Sequence, residues 1–395
     1  MINRFTNHLE IEFSKVIKTG EDVCGDDYKS KLIPSEGRYI SVLSDGLGSG
    51  IKASLLSNMV TTMALKFVED NVDFLASAEI MMNSLPICEV RKISYATFTI
   101  VDTMIDGTTK IIEMDNPSFI HLRGHEEVEH KLKVLVSDRW NDRKIRVSEF
   151  KMQHGDRLIF FSDGVSQAGL GQKGHKFGWK REGCLEFAKQ LIAMQPDISA
   201  RRLSQKITTK ARSYNPNNRC IDDISCGVVY FREPRRTILL TGPPFKESSD
   251  KEFADIIRYF PGKKVICGGT TANIIARELK REIFTDIKKK NGFLPMTSEM
   301  KGMNLVTEGI LTLTELAKYL ESNETSQTAP SIKELVEIFH ESDVIDFVVG
   351  TRVNIAHQDP TLPVDLEIRR NIVKKIKAIL EANFRKVVNL KYILY

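Results

Sequence analysis

"ISVLSDGLGSG" (residues 40–50) and its near repeat "LIFFSDGVSQ" (residues 158–167) each run an apolar strand straight into Ser-Asp-Gly. An Asp placed directly after a buried strand is held rigidly by the sheet. The Gly that follows frees the backbone to turn and lets its carbonyl face the same point as the carboxylate. Asp45-Gly46 and Asp163-Gly164 share this arrangement, and two further acidic pairs stand at comparable edges: Asp26-Asp27 in "CGDDY" and Asp222-Asp223 in "CIDDISCGVV". Magnesium and manganese prefer oxygen donors, so carboxylates from four strand ends suit a two-ion cluster. Taken singly, an Asp-Gly after a strand is ordinarily a turn, and an Asp-Asp pair is ordinarily solvated. The ordered combination of all four is what argues for a site.

Around these points the pattern from residue 93 to 163 is repeatedly β: "ISYATFTIVD" (93–102), "TKIIEMD" (109–115), "FIHLRG" (119–124), "IRVSEF" (145–150) and "RLIFFSD" (157–163), with "DISCGVVYF" (223–231) as a last strand. These short β-branched and aromatic runs, bounded by turn residues, predict a largely antiparallel sheet system. Helices are predicted over 53–70, with Leu55, Leu56, Met59, Val60, Met63 and Phe67 as the apolar face, and over 184–194 and 198–214. A charged, proline-containing break at "REPRR" (232–236) marks a domain boundary, giving domains at 1–233 and 237–395. Beyond it the rhythm is β-α-β-α: "TILLTG" (237–242), a helix at 251–260, "KKVICGG" (263–269) and a helix at 272–284. That alternation predicts a parallel sheet with crossover helices. "SNETSQTAPS" (322–331) reads as a polar loop, "DFVVGTR" (346–352) as a strand, and 369–384 as an amphipathic helix with Ile372, Ile376, Ile379 and Leu380 on its apolar side.

A chain of 395 residues with 42% hydrophobic and 28% charged residues has material for two cores. A net charge of +5 spread over that length lacks the concentrated basic stripe a nucleic-acid backbone requires. Neither a secretory signal nor a bilayer-crossing apolar run is legible, so the reading is of a cytoplasmic protein acting on neither membrane nor nucleic acid. The six cysteines (Cys24, Cys88, Cys184, Cys220, Cys226, Cys267) show no CxxC spacing and read as reduced, idle thiols. His121 and His125 in "HLRGH" leave a strand through Gly124 and lack the helix that would bring both rings to one metal. "CGVVYFR" (226–232) matches the CxxxxxR spacing of cysteine phosphatases, but its middle is an apolar strand rather than a phosphate-cradling loop.

From about residue 15 to 232 the chain resembles the bacterial metal-dependent serine phosphatases of the sporulation stage II protein E type, within the protein phosphatase 2C class. The resemblance is carried by "CGDDY" (24–28), "SDGLGSGIKA" (44–53), "NPSFIHLRG" (116–124), "GDRLIFFSDGV" (155–165) and "DDIS" (222–225). It implies an α+β fold, a β-sandwich flanked by helices, here followed by a smaller α/β domain. It implies two Mn2+ or Mg2+ ions. Asp45 resembles the carboxylate bridging both, the Gly46 carbonyl and Asp26 resemble ligands of the second, and Asp163 and Asp222 resemble ligands of the first. Within the pairs Asp27 and Asp223 stand as alternatives. Asp45 and Asp163 are thus the catalytic candidates, for attack of a metal-bridging hydroxide on a phosphoserine or phosphothreonine ester with no protein nucleophile. Lys52 is a weaker candidate for contact with the phosphate. Glycines 48 and 50 either permit a tight strand-to-helix turn or act as a hinge for control of the site. Relatives of this type act on small phosphorylated anti-sigma antagonist proteins, so a regulatory phosphoprotein of that kind is the implied partner. A catalytically silent module of the same fold and a two-metal hydrolase of small phosphate esters are the competing readings.

The motifs of the second half, residues 237–395, point to no particular family. Its best local feature is an apolar strand ending at Gly268-Gly269 with Thr270 and Thr271 opening a helix, a candidate anion-binding turn. Neither GxGxxG nor GxxxxGK[ST] is present. A regulatory or substrate-recruiting module is the expectation for this half.

Overall fold

The computed structural model describes residues 6–72, 74–84, 97–136, 144–285, 297–322, 329–352, 363–384 and 386–393. They form two compact units, Met1–Glu233 and Pro234–Tyr395.

The first unit is built from β1 (His8–Val16), β2 (Asp26–Ile33), β3 (Arg38–Asp45), α1 (Gly50–Glu69), α2 (Phe74–Ser84), β4 (Phe98–Met104), β5 (Thr108–Met114), β6 (Ile120–Arg123), β7 (Glu126–Glu127), β8 (Lys133–Val136), β9 (Lys144–Lys151), β10 (Asp156–Phe161), α3 (Asp163–Ser166), α4 (Lys180–Met194), α5 (Ala200–Ser213) and β11 (Ile224–Arg232). One sheet has the order β1-β11-β10-β6-β7 and the other β2-β3-β4-β5-β9-β8, antiparallel throughout. Alternation along the strands produces the layers. Leu158 and Phe160 of β10 join Leu43, Val101, Ile111 and Val229 between the sheets, while Ile159 and Phe161 pack with Leu203 and Ile207 beneath α4 and α5. Ile40, Val42 and Ile100 pack against Val60 and Ala64 of α1 on the opposite side. The result is the α+β sandwich with a helical layer on each face.

Two details differ from the sequence reading. The buried face of α1 is made chiefly of small residues (Ala53, Ser57, Val60, Thr61, Ala64), which let it lie close on β2 and β3. Leu55 and Met59 of the expected apolar face are exposed, at 61% and 38%. The unexpected strand β1 pairs with β11 along its whole length, from His8 opposite Arg232 to Val16 opposite Ile224.

The second unit comprises β12 (Arg236–Thr241), α6 (Asp250–Arg258), β13 (Lys263–Cys267), α7 (Gly269–Leu279), β14 (Ile283–Thr285), β15 (Thr297–Met300), β16 (Leu305–Thr307), α8 (Ile310–Ser322), α9 (Pro330–Glu341), β17 (Val344–Gly350), α10 (Pro363–Phe384) and β18 (Val387–Ile393). Its sheet runs β14-β15-β16-β13-β12-β17-β18, with β16, β13, β12, β17 and β18 mutually parallel and β14 and β15 antiparallel at one edge. Helices α6 and α7 cover one face, and α8, α9 and α10 the other. The α/β expectation holds, with one correction. The helix expected over 272–284 ends at Leu279, because Lys280 turns left-handed (φ 52°), and Ile283–Thr285 then pairs with β15. Of the segment read as a loop at 322–331, residues 323–328 lie outside the described residues, and Pro330 and Ser331 already belong to α9, with Pro at a helix start where it lacks no bond. Among the described residues no helix is long and apolar enough to cross a membrane.

The sandwich core tolerates no extra methyl at the centre of β11. Gly227 faces Phe160, and a Cβ there would meet its ring at 2.2 Å. Gly227→Ala is expected to lower stability by about 1–3 kcal/mol, read as a fall of several degrees in thermal unfolding of the first unit.

Candidate metal centre

The two strand pairs that end in acids end at the same edge of the sandwich. Asp26, the first residue of β2, stands directly opposite Asp45, the last of β3. Asp163 follows β10 and opens α3, and Asp222 precedes β11, the strand hydrogen-bonded to β10. Asp45 lies within hydrogen-bonding reach of the carboxyl groups of both Asp26 and Asp163, and Asp222 is close enough to act electrostatically on all three neighbours' cluster through Asp26, Asp45 and Asp163. The structure therefore brings the four expected residues together.

Glycines make this convergence sterically feasible. A Cβ on Gly164 would sit 1.9 Å from the Asp223 carbonyl oxygen, and one on Gly46 would sit 2.0 Å from that of Ala53 in α1. Strand end, turn and helix can approach only because these positions carry no side chain. Gly48 and Gly50 have φ of 103° and 67°, so the turn into α1 is itself left-handed. Lys52 is exposed on α1.

Within each acidic pair the two side chains do different things. Asp27 points away from Asp26, as neighbours on a strand must, and accepts from Thr61 of α1. Asp223 is buried, and both of its oxygens are taken by backbone donors: Lys18 N–H at 2.9 Å and Gly25 N–H at 2.7 Å. It ties the β1–β2 connection to the start of β11. Asp222 accepts no such long-range bond among the described residues; its Oδ1 accepts from the Asp223 N–H at 2.9 Å.

A second support, not legible from the acidic pattern, holds Asp45. Its N–H donates to Thr97 Oγ1 at 3.3 Å, its carbonyl accepts from Thr97 N–H at 3.0 Å, and Ser44 Oγ donates to the Thr97 carbonyl at 2.7 Å. Thr97 in turn donates to Asn116 Oδ1, and Asn116 Nδ2 donates to Thr99 Oγ1 at 3.0 Å. Asn116 is the leading residue of "NPSFIHLRG", and its support of Thr97 depends on a partner 19 residues away that no local pattern marks. Gln167 Nε2 likewise donates to Asp163 Oδ2 at 2.7 Å.

Burial drives the electrostatics. Desolvation, then the charges of Asp26, Asp163 and Asp222, hold the Asp45 carboxyl far above the ordinary carboxylate range. Desolvation also raises Asp26, against the favourable hydroxyls of Ser225 and Ser162, and it raises Asp163 and Asp222 as well. Asp26 Oδ2 and Asp163 Oδ1 are buried and receive no hydrogen bond. Such oxygens are costly unless a cation takes them. The carboxyl groups as they stand lean on one another, and among the described residues no three His, Cys, Asp or Glu side chains are spread around a common metal-sized point. The donor set, all oxygen, crowded and short of positive charge, fits hard divalent cations.

The remaining candidates fall elsewhere. Cys226 lies in the fully buried β11 with its thiol pushed well up by desolvation, and Arg232 at the other end of that strand pairs with Glu10 at 2.9 Å, so the CxxxxxR spacing forms no phosphate loop. Cys24, Cys184, Cys220, Cys226 and Cys267 are free and buried; Cys88 lies outside the described residues. His121 is buried against Asp156 and His130. In the second unit Gly268 (φ 127°) does end β13 and open α7, its N–H donating to Thr307 and its carbonyl accepting from Ala272, with Thr271 buried and Gly269 and Thr270 exposed.

The crowded acids give a pH signature in metal-free protein. Carboxyl groups whose folded pKa is raised stay protonated while the unfolded chain ionises, so their contribution falls as pH rises above about 4. Asp45→Asn is therefore expected to raise the melting temperature of the metal-free protein, by a margin that widens from pH 5 to pH 8. Asp223→Ala, which strands two backbone N–H groups, is expected to cost about 2–4 kcal/mol at every pH. Thermal unfolding in chelator across that range measures both.

The first unit is similar to known proteins. A curated relative, stage II sporulation protein E of Bacillus subtilis (strain 168), is 27% identical over 168 residues, 42% of this chain and 20% of that protein, so the match spans about a fifth of the relative's length. Among solved structures, the phosphatase domain of SpoIIE from Bacillus subtilis aligns at 18% identity over 58% of this chain and 94% of that one, with a TM-score of 0.43. The SiaA-PP2C domain of Pseudomonas aeruginosa aligns at 18% identity over 55% of this chain and 85% of that one, with a TM-score of 0.42. Residues 35–232, which hold three of the four converging acids and the turn of Gly46, match the family model for stage II sporulation protein E (SpoIIE), and the chain belongs to that family and carries its PP2C-type protein phosphatase domain.

Proposed function

We propose that the first unit is a metal-dependent protein serine/threonine phosphatase that hydrolyses phosphoserine or phosphothreonine on a regulatory protein. The observation that carries this reading is the crowd of four buried or half-buried carboxyl groups at one sandwich edge, two of them with buried oxygens that receive no hydrogen bond. Asp26, Asp45, Asp163, Asp222 and the Gly46 carbonyl would hold two Mn2+ or Mg2+ ions. Bound there, such ions supply neutralisation of the phosphoryl charge and acidification of an attacking water.

The chain's own residues do the positioning. The β2–β3 pairing fixes Asp26 against Asp45, and Thr97 with Asn116 holds the Asp45 backbone from the β4 side. Asp223 anchors the loop that delivers Asp26, leaving its neighbour Asp222 to face the site. Gln167 orients Asp163. Since Cys226 is buried in a strand, no protein nucleophile and no phosphoenzyme are invoked.

A small phosphorylated protein of the anti-sigma antagonist kind is the partner class that the family membership favours. For the second unit we infer a regulatory role. The parallel strands run in the order β16-β13-β12-β17-β18, which reverses direction beside β12, and ligands of open α/β sheets bind at the carboxyl ends next to such a reversal. Gly268, Gly269, Thr270 and Thr271 stand at that end of the sheet.

The test is hydrolysis of a phosphoserine peptide with Mn2+. Activity is expected with the wild-type chain, to vanish in chelator, and to fall at least about 100-fold in kcat/KM in both Asp45→Asn and Asp163→Asn. A folded wild-type protein with no turnover would favour a silent binding module. Turnover of nucleotides or phosphosugars in preference to phosphopeptide would favour a small-ester hydrolase.

A further inference from the structure

Helix α5 carries Arg201, Arg202, Lys206, Lys210 and Arg212 and no acidic residue. Its buried face, with Leu203, Ile207 and Ala211, packs on β1 and β11. On the outer side Arg202, Lys206 and Lys210 recur every fourth residue and so stand in one line along the helix. Like charges at that spacing repel one another, and among the described residues no ion pair reaches any of the three. On α4, Glu186 is paired with Lys189 at 3.2 Å.

The line of cations is not a flat solvated surface. It forms one wall of an open groove of about 620 Å³, with Phe187 and Gln195 opposite and Gln205 and Thr209 between the charges. No acidic side chain lines it. Lys210 is held over the rings of Tyr214 and Phe187, at 4.8 and 5.9 Å, which keeps its charge at the groove.

We propose that this groove docks an acidic segment of the phosphoprotein substrate, at a point separate from the phosphorylated residue. The proposal rests on the reading of the first unit as a protein phosphatase. From Arg202 to Lys210 the helix rises about 12 Å, a length that about four residues of extended peptide cover. Two or three Asp or Glu side chains in such a stretch would meet all three cations, while Gln195, Gln205 and Thr209 offer donors and acceptors to its backbone. A nucleic acid fits less well: three aligned cations fall short of the six to ten phosphate contacts of a typical binder, and a single ring, Phe187, offers little for bases to stack on. Past Lys210 the chain continues directly through Tyr214 to Asp222, so the segment that docks the partner is the one that enters the metal centre.

The experiment compares phosphoserine peptides carrying a four-glutamate stretch, at several spacings from the phosphoserine, with the same peptides carrying four glutamines. p-Nitrophenyl phosphate serves as the small control. With the wild-type chain and Mn2+, the best-spaced glutamate peptide is expected to show about tenfold higher kcat/KM, through KM. In R202A/K206A/K210A, a triple change to a strong helix former on an exposed face, that preference is expected to disappear with p-nitrophenyl phosphate turnover unchanged. Absence of any preference in the wild type, or its survival in the triple variant, would overturn the proposal, as would displacement of the glutamate peptide's role by preferential binding of a single-stranded oligonucleotide. Anisotropy of a fluorescent four-glutamate peptide on both proteins reads docking without turnover. Failure of the catalytic reading alone would thus leave binding intact and lost in the variant, whereas failure of the docking proposal would leave p-nitrophenyl phosphate turnover intact.

Discussion

Four carboxyl groups crowded at one edge of a sandwich, Asp26 buried and Asp45, Asp163 and Asp222 half-buried, repel one another and resist ionisation, and the fold around them works against that repulsion. Asp223 contributes most directly. By accepting from Lys18 and Gly25 it fastens the loop before β2 to the start of β11, one element from each sheet. Asp26 and Asp222 stand beside the two ends of that tie. The glycines at 46 and 164 remove the side chains that would hold the turns apart. On the proposed reading, the crowding that weakens the metal-free fold is what would favour divalent cations, and stability given up at this edge would be recovered on binding them.

Much of this was legible because strands announce their ends. The apolar runs of "ISVLSD" and "LIFFSD", each ending in Ser-Asp, located β3 and β10, and the acids after them followed from position alone. The choice within each pair was not legible from spacing, since it depends on which side of the backbone each residue faces. Asp27 turns outward to Thr61, and Asp223 is consumed by backbone donors, neither of which a linear pattern reveals. β1 escaped notice for a related reason. Glu10 and Glu12 break its apolar run, yet Glu10 is held inside the fold by Arg232 and by the Ala200 N–H at the start of α5. Long-range partners made those charges compatible with a strand. In α1 the periodicity holds and the face is shifted: Val60 is buried and Leu56, Met63 and Phe67 pack on the core, while Leu55 and Met59 are exposed and Ala53, Ser57, Thr61 and Ala64 take the close contact with the sheet.

In the second unit local rhythm was enough to predict a parallel sheet but not its edge. The β14–β15 pair depends on contact between residues 283–285 and 298–300, beyond the reach of helical periodicity read through Lys280. Arrangement of strands on both sides of β12 likewise follows from the return of the chain through β17, which no single motif marks. The glycine turn after β13 acquires meaning only once that order is known.

The central claim is that the carboxyl groups of Asp26, Asp45, Asp163 and Asp222 together form a cradle for a pair of divalent ions. Anomalous diffraction from crystals of the full chain grown with Mn2+ tests it most directly. The account predicts two manganese peaks among these four side chains, with Asp45 between them and Asp223 still bound to Lys18 and Gly25. Manganese located elsewhere, or none at this edge at saturating concentration, would contradict it.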